Sequence, residues 1–271
     1  DKEFLLFKEM IFKNQLPKVS MLTGEKGIGK FTFINHLMHF YFDKKNYNEE
    51  NFTISKKDIF HNQLIKNIFS NILYINSSSY KNVKIDDMRK LKLDLLKPPL
   101  NNEKRFIIID EIETFNTNSL NAILKLIEEP TKNNFFMLIN NKSRTLLETV
   151  KSRSIEFNIN LNSKLKNKIL SFLMSYFNQS LKINENLVNI SPGNMLKINS
   201  FFLEEKIDIE DNFFENFNHI LNLYKKEKND FYKFFLIFLV EYYFQFKKLK
   251  NVFNNKKIIK KISFFIKNIN D

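Results

Sequence analysis

Cysteine and tryptophan are missing from these 271 residues, glycine occurs four times, proline five times, and alanine once, at Ala122. Without cysteine there is no disulfide and no thiolate metal site, a composition that suits the cytoplasm. The longest apolar run near the C-terminus, Phe234 to Val240, is far short of the ~20 residues that cross a bilayer and reads as a buried helix. The opening DKEFLLFKEMIFKNQ intersperses charges among its apolar residues and so lacks the uncharged core of a secretory signal. No membrane partner is expected. Arginine is scarce as well, with Arg89, Arg105, Arg144 and Arg153 set against 39 lysines.

What is present is Phe, Ile, Lys and Asn in excess, a pattern that reads as codon bias. The net charge of +13 would ordinarily point to a polyanionic partner, but the lysines are scattered along the chain, as on a solvated surface. The length predicts one mid-sized domain with one or two smaller ones. Short β-type runs alternate with helical patterns through residues 1–160, predicting an α/β domain with a parallel five-stranded sheet. Strands are expected at Val19 to Thr23, Ile72 to Ile75, Phe106 to Asp110, Phe135 to Asn140 and Ser154 to Phe157. Helices are expected at Lys30 to Phe42 and Thr117 to Glu129, the second stopped by Pro130. Beyond Leu161 only helical patterns continue, giving a small helical lid domain (161–208) and an all-helical C-terminal piece (209–271). The Asn-rich stretch from Asn46 to Lys66 reads as a surface insertion.

Three of the four glycines, Gly24, Gly27 and Gly29, fall in MLTGEKGIGKF, which has the GxxxxGK form of a phosphate loop. An apolar strand precedes it and an amphipathic helix follows. Backbone N–H groups from Gly24 through Ile28 to Gly29, with the positive helix end, would converge on phosphate oxygens while Lys30 neutralises them. The following residue is Phe31, where a hydrolysing loop carries a Ser or Thr hydroxyl for Mg²⁺. Thr32 is no substitute, because one further residue on a helix turns the side chain by ~100°. The loop is therefore expected to hold phosphate without supporting hydrolysis.

The apolar strand Phe106 to Asp110 ends in Asp110-Glu111, an arrangement by which phosphate-loop enzymes hold Mg²⁺ and polarise water. Arg153 lies between a short helix and the last strand, where its planar, permanently charged guanidinium could stabilise phosphoryl-transfer charge or form an ordinary surface ion pair. His36 and His39, three residues apart, have no evident carboxylate or thiol partner, and no metal site is expected.

In this order, LPKVSMLTGEKGIGKF, IDDMRKLKLDLLKPP, IIIDEIETFNTNSLNAILKLIEEP and FFMLINNKSRTLLETVKSRS resemble the clamp-loader branch of the AAA+ ATPases over roughly residues 10–200. Ser154 stands where that family's Ser-Arg-Cys motif has its cysteine. The resemblance implies an AAA+ fold with a lid and a collar, the sensor-1 position at Asn140 or Asn141, and an arginine finger at Arg153. The gamma and tau motor subunits of bacterial DNA polymerase III have a hydroxyl after the loop lysine and a nucleotide-sensing arginine in the lid. Here Phe31 and Asn194 occupy those places. The chain is thus most similar to the family's non-hydrolysing stator, which offers its arginine to a neighbour's ATP.

That resemblance implies gamma/tau-like motor subunits and a delta subunit as partners, and through them the sliding clamp and primed DNA. It implies no required cofactor, ATP or ADP being what the degenerate site would take. The alternative is a catalytically active loader ATPase using Lys30, Asp110 and Glu111; a nucleotide kinase is disfavoured because no phosphate-acceptor site or arginine-rich lid is evident. Two departures from the family stand out. Many relatives have a four-cysteine zinc module where Asn46 to Lys66 lies, and the 209–271 piece is short for a collar, so that it is either truncated or reduced.

Overall fold

The computed structural model describes residues 2–55, 57–76, 91, 93–95, 97–184, 188–205, 207 and 213–249. The helix expected within 85–99 lies mostly outside these residues, as does Arg89. The chain divides into two compact units, Asp1–Asn160 and Leu161–Asp271.

In the first unit, helix α1 (Lys2–Phe12) leads to strand β1 (Val19–Thr23), the phosphate loop and helix α2 (Lys30–Phe42). A hairpin of β2 (Tyr47–Asn48) and β3 (Thr53–Ile54), helix α3 (Ile59–Ile65) and strand β4 (Ile72–Asn76) follow. Then come β5 (Arg105–Asp110), α4 (Thr117–Glu128), β6 (Asn134–Asn140), α5 (Glu148–Lys151) and β7 (Ile155–Asn158). Five strands form one sheet in the order β4-β5-β6-β1-β7, with every pairing parallel. The central strands β1 and β6 are buried along their whole length because helices cover both sheet faces. Leu22, Ile108, Met137 and Ile139 face Ile34, Leu37 and Met38 of α2 on one side. Met21, Ile109 and Leu138 face Ile123 of α4 and Val150 of α5 on the other.

Helix α4 begins where Asn116 Oδ1 accepts the Ser119 N–H at 2.9 Å, and it buries Leu120, Ile123 and Ile127 at helical spacing. The stretch expected to be a surface insertion is more integrated than that: it forms the β2-β3 hairpin and α3, and drives Tyr47 and Phe60 into the core against α1 and α2. Arg105 is structural. Its guanidinium donates to the carbonyls of Asp94, Lys97 and Pro98 at 3.0, 3.0 and 3.2 Å.

The second unit contains helices α6 (Ser163–Tyr176), α7 (Pro192–Glu204), α8 (Phe213–Glu227) and α9 (Asp230–Leu249). They share one core that includes Met174, Ile198, Phe202, Phe217, Phe235 and Leu239. Asn199 is fully buried at its centre. It accepts the Lys182 N–H at 2.8 Å and donates to Gln179 Oε1 and the Ser180 carbonyl. Among the described residues no helix is long and apolar enough to cross a membrane.

Candidate functional site

Because all five strands run the same way, the chain segments leaving β1, β5 and β6 emerge at one edge of the sheet, the edge where ligands sit in open parallel sheets. This brings the loop from Gly24 to Lys30, Asp110 and Asn140 to the same edge. The register places Thr23 opposite Asn140 and Asn76 opposite Asp110.

The loop needs its glycines for different reasons. A Cβ on Gly24 would come within 2.3 Å of the Ile159 carbonyl oxygen and 2.7 Å of Ile28 Cδ1, so the backbone leaves β1 too close to the chain after β7 for any side chain. Gly29 has φ +97° and Gly27 has φ +87°, a left-handed geometry that glycine adopts without strain. Lys30 then folds back over the loop, its Nζ donating to the carbonyls of Gly24 at 2.7 Å and Glu25 at 2.8 Å. Burial lowers the Lys30 ammonium to about 8; the carboxylates of Glu113, Asp110 and Glu25 pull upward and the nearby Lys142 pulls down.

The side of the site where a metal would sit is arranged differently. Phe31 packs edge-on against Tyr74, with ring centroids 5.0 Å apart. The Tyr74 hydroxyl donates to Asp110 Oδ2 at 2.8 Å, and Asn76 Nδ2 reaches both that oxygen and the Tyr74 hydroxyl at 3.4 and 3.1 Å. Burial pushes the Tyr74 phenol up, so it remains a proton donor at neutral pH. Asp110 Oδ1 accepts the Glu111 N–H at 2.9 Å. Burial also raises the Asp110 carboxyl above the usual range, opposed by the Tyr74 hydrogen bond. Glu111, at φ +56°, forms an ion pair with Lys26. Glu113 is buried and accepts the Ser143 hydroxyl at 2.7 Å.

Asn140 is buried, and its Oδ1 accepts the Lys142 N–H at 3.0 Å. Ile28 is half-buried against Gly24, and Thr32 is exposed on α2. Arg153 contacts none of these groups. Its Nε and Nη2 meet Glu128 Oε1 at 3.0 and 2.8 Å, and Nη1 donates to the Thr149 carbonyl at 3.0 Å. The residues that sequence reasoning passed over are Tyr74, Asn76 and Glu128. Tyr74 and Asn76 alternate on β4, and so share a face beside the acidic strand end; that spacing was the available signal.

The phosphate half of an ATP site fits these residues: a glycine cradle, a helix N-terminus and a lysine. The metal half does not, because Phe31 brings a ring where a hydroxyl would bind and Asp110 is already hydrogen-bonded to Tyr74 and Asn76.

A phosphate loop between the first strand and helix of a five-stranded parallel sheet, with helices beyond it, defines an AAA+-type P-loop protein. The family is more particular: the chain belongs to that described as DNA polymerase III, delta subunit, whose model matches residues 1–163. The chain is 27% identical over 196 residues to the DNA polymerase III subunit delta' of Buchnera aphidicola subsp. Baizongia pistaciae, a match covering 71% of this chain and 51% of the relative. It is also 27% identical over 156 residues to the DNA polymerase III subunit gamma of Buchnera aphidicola subsp. Acyrthosiphon pisum, covering 56% and 40%. The matches thus span about half the length of these relatives or less. A DNA polymerase III gamma subunit-related protein from Thermotoga maritima shares the fold with a TM-score of 0.54 at 17% identity, covering 97% of this chain and 90% of that one.

Proposed function

We propose that this chain is a non-hydrolysing, stator-like subunit of a DNA polymerase III clamp loader in the cytoplasm. It acts beside gamma/tau-like motor subunits and a delta subunit, helping to place a sliding clamp on primed DNA, and its own loop takes ATP or ADP without turning it over. The observation that carries this reading is the chain of contacts from Phe31 through Tyr74 to Asp110. It fills the position of the metal-binding hydroxyl with an aromatic ring and engages the carboxylate that would hold Mg²⁺. Arg153, with its guanidinium plane fixed by Glu128 and the Thr149 carbonyl, is the group we assign to a neighbour's nucleotide. Similarity to a subunit named gamma keeps an ATP-hydrolysing subunit as the rival.

The two readings separate in reconstitution. The purified chain should show no DNA-stimulated ATPase. A loader assembled with Arg153→Ala should form normally yet hydrolyse ATP more slowly, a finger in trans being worth ~10³ to 10⁵ in rate. Turnover by the chain alone that disappears in Lys30→Ala would establish the rival. Full activity in the Arg153→Ala loader would remove the finger assignment.

A further inference from the structure

We infer that a second anion site, separate from the phosphate loop, lies in a cleft of about 440 Å³ on the other face of the sheet. Alternation along β1 sets the two apart. Leu22 faces helix α2, whereas Met21 and Thr23 face α4 and α5, and the cleft floor includes Thr23, Leu146 and Asn140, the strand-end residue it shares with the site above. Lys30 does not line it. Lys142, close enough to lower the Lys30 pKa, belongs to the cleft and marks how near the two sites come along the sheet edge.

Two independent observations point to a ligand. The first is charge: Lys142, Arg144 and Lys151 line the cleft, and Glu156 is the one carboxylate in its lining. Lys151 is paired with Glu148 at 2.8 Å, and Lys142 reaches only the neutral Asn158 at 3.4 Å. Among the described residues no carboxylate forms an ion pair with Lys142 or Arg144. Arg144 thus differs from the other described arginines, since Arg105 clasps three carbonyls and Arg153 is held by Glu128. The second is the Thr23 hydroxyl. Thr23 is 1% exposed and lines the cleft, and its Oγ1 has no hydrogen-bond partner. A buried hydroxyl left unpaired is costly, and although this Oγ1 is closed to solvent, a turn about the Thr23 Cα–Cβ bond would let a ligand oxygen in the cleft satisfy it.

A guanidinium, two ammonium groups and a buried hydroxyl at the carboxyl ends of parallel strands suit phosphate oxygens. The cleft volume takes a run of two or three phosphates, and its cationic rim of Lys142 and Arg144 is exposed. The ligand class is therefore a linked phosphate chain, offered either by a nucleotide's polyphosphate or by a nucleic-acid backbone.

The test is calorimetric titration of the full chain at low salt with tripolyphosphate and, separately, with a single-stranded oligothymidylate. Lys30→Met removes the loop lysine, so saturable 1:1 binding by that variant that also depends on Arg144 reports the cleft and not the loop's backbone cradle. Adding Arg144→Ala should weaken binding roughly 10- to 100-fold, as expected for a hydrogen bond to a charged group. Thr23→Val should weaken it several-fold, while Lys164→Ala, an equal charge change at an exposed position of helix α6, should leave it unchanged. Tighter binding of tripolyphosphate identifies the nucleotide source, and tighter binding of the oligonucleotide the backbone source. If Lys30→Met compromises the fold, Lys142→Ala with Arg144→Ala in the otherwise unaltered chain serves instead, both residues being exposed, and should remove one bound tripolyphosphate. The proposal is overturned if Lys30→Met binds neither probe, if the double variant loses nothing, or if Lys164→Ala weakens binding as much as Arg144→Ala.

Discussion

Lys30 shows how one residue serves shape and charge together. Its ammonium is buried and satisfied by two loop carbonyls, yet burial still lowers it to about 8. The unfolded chain keeps a lysine near ~10.4. Below about 8 both states are protonated, and the cost of burying the charge is fully present. Between the two values the unfolded state binds more protons, so this residue's contribution to stability rises with pH. We expect the melting-temperature difference between Lys30→Met and the parent chain to shift in the parent's favour as pH rises from about 8 to about 10. Paired thermal melts across that range check this, and a difference that stays constant would mean Lys30 titrates as an ordinary lysine. That a lysine belongs here is legible in GxxxxGK. Which carbonyls it meets is not, because the loop's left-handed glycines, and not its residue order, set where the ammonium lands.

Among the elements, the contact between α2, β4 and β5 sets the site's character. Phe31 belongs to the first, Tyr74 and Asn76 to the second and Asp110 to the third, and only the folded register brings them together. Strand β1 and helix α2 have the bounds that their apolar pattern predicts, and the remaining sheet strands are displaced by at most a residue at either end. The segment 46–66 was harder to read, since two-residue strands have no period to detect, Tyr47 stands alone between asparagines, and the helix holding Phe60 is only seven residues long. The partners of Asp110 and Arg153 were illegible for another reason. Tyr74 and Glu128 reach them across sequence distances that local patterns do not encode. Tyr74→Phe should destabilise the chain by about 1.5–3 kcal/mol, the value of a hydrogen bond to a carboxylate, and should move the Asp110 carboxyl further upward. Urea denaturation and titration of the Asp110 carboxyl by NMR measure the two effects. Neither change would be seen if water replaces the phenol without loss.

At the level of the molecule, each of the two units encloses its own core, with both sheet faces covered within residues 1–160 and, among the described residues of the rest, four helices gathered around Phe202 and Phe235. A unit with its own core can fold by itself. Residues 1–160 produced alone should therefore unfold in one cooperative urea transition followed by circular dichroism. A gradual, sloping loss of signal would show that this core is incomplete without the helices. The lysine that closes the phosphate loop onto its own carbonyls also has a bearing on the whole protein. A loop that supplies its own cation and acceptors needs no guest to keep its shape. On the stator reading proposed above, such a part would be fitted to its neighbours in its final form, with or without nucleotide in the loop.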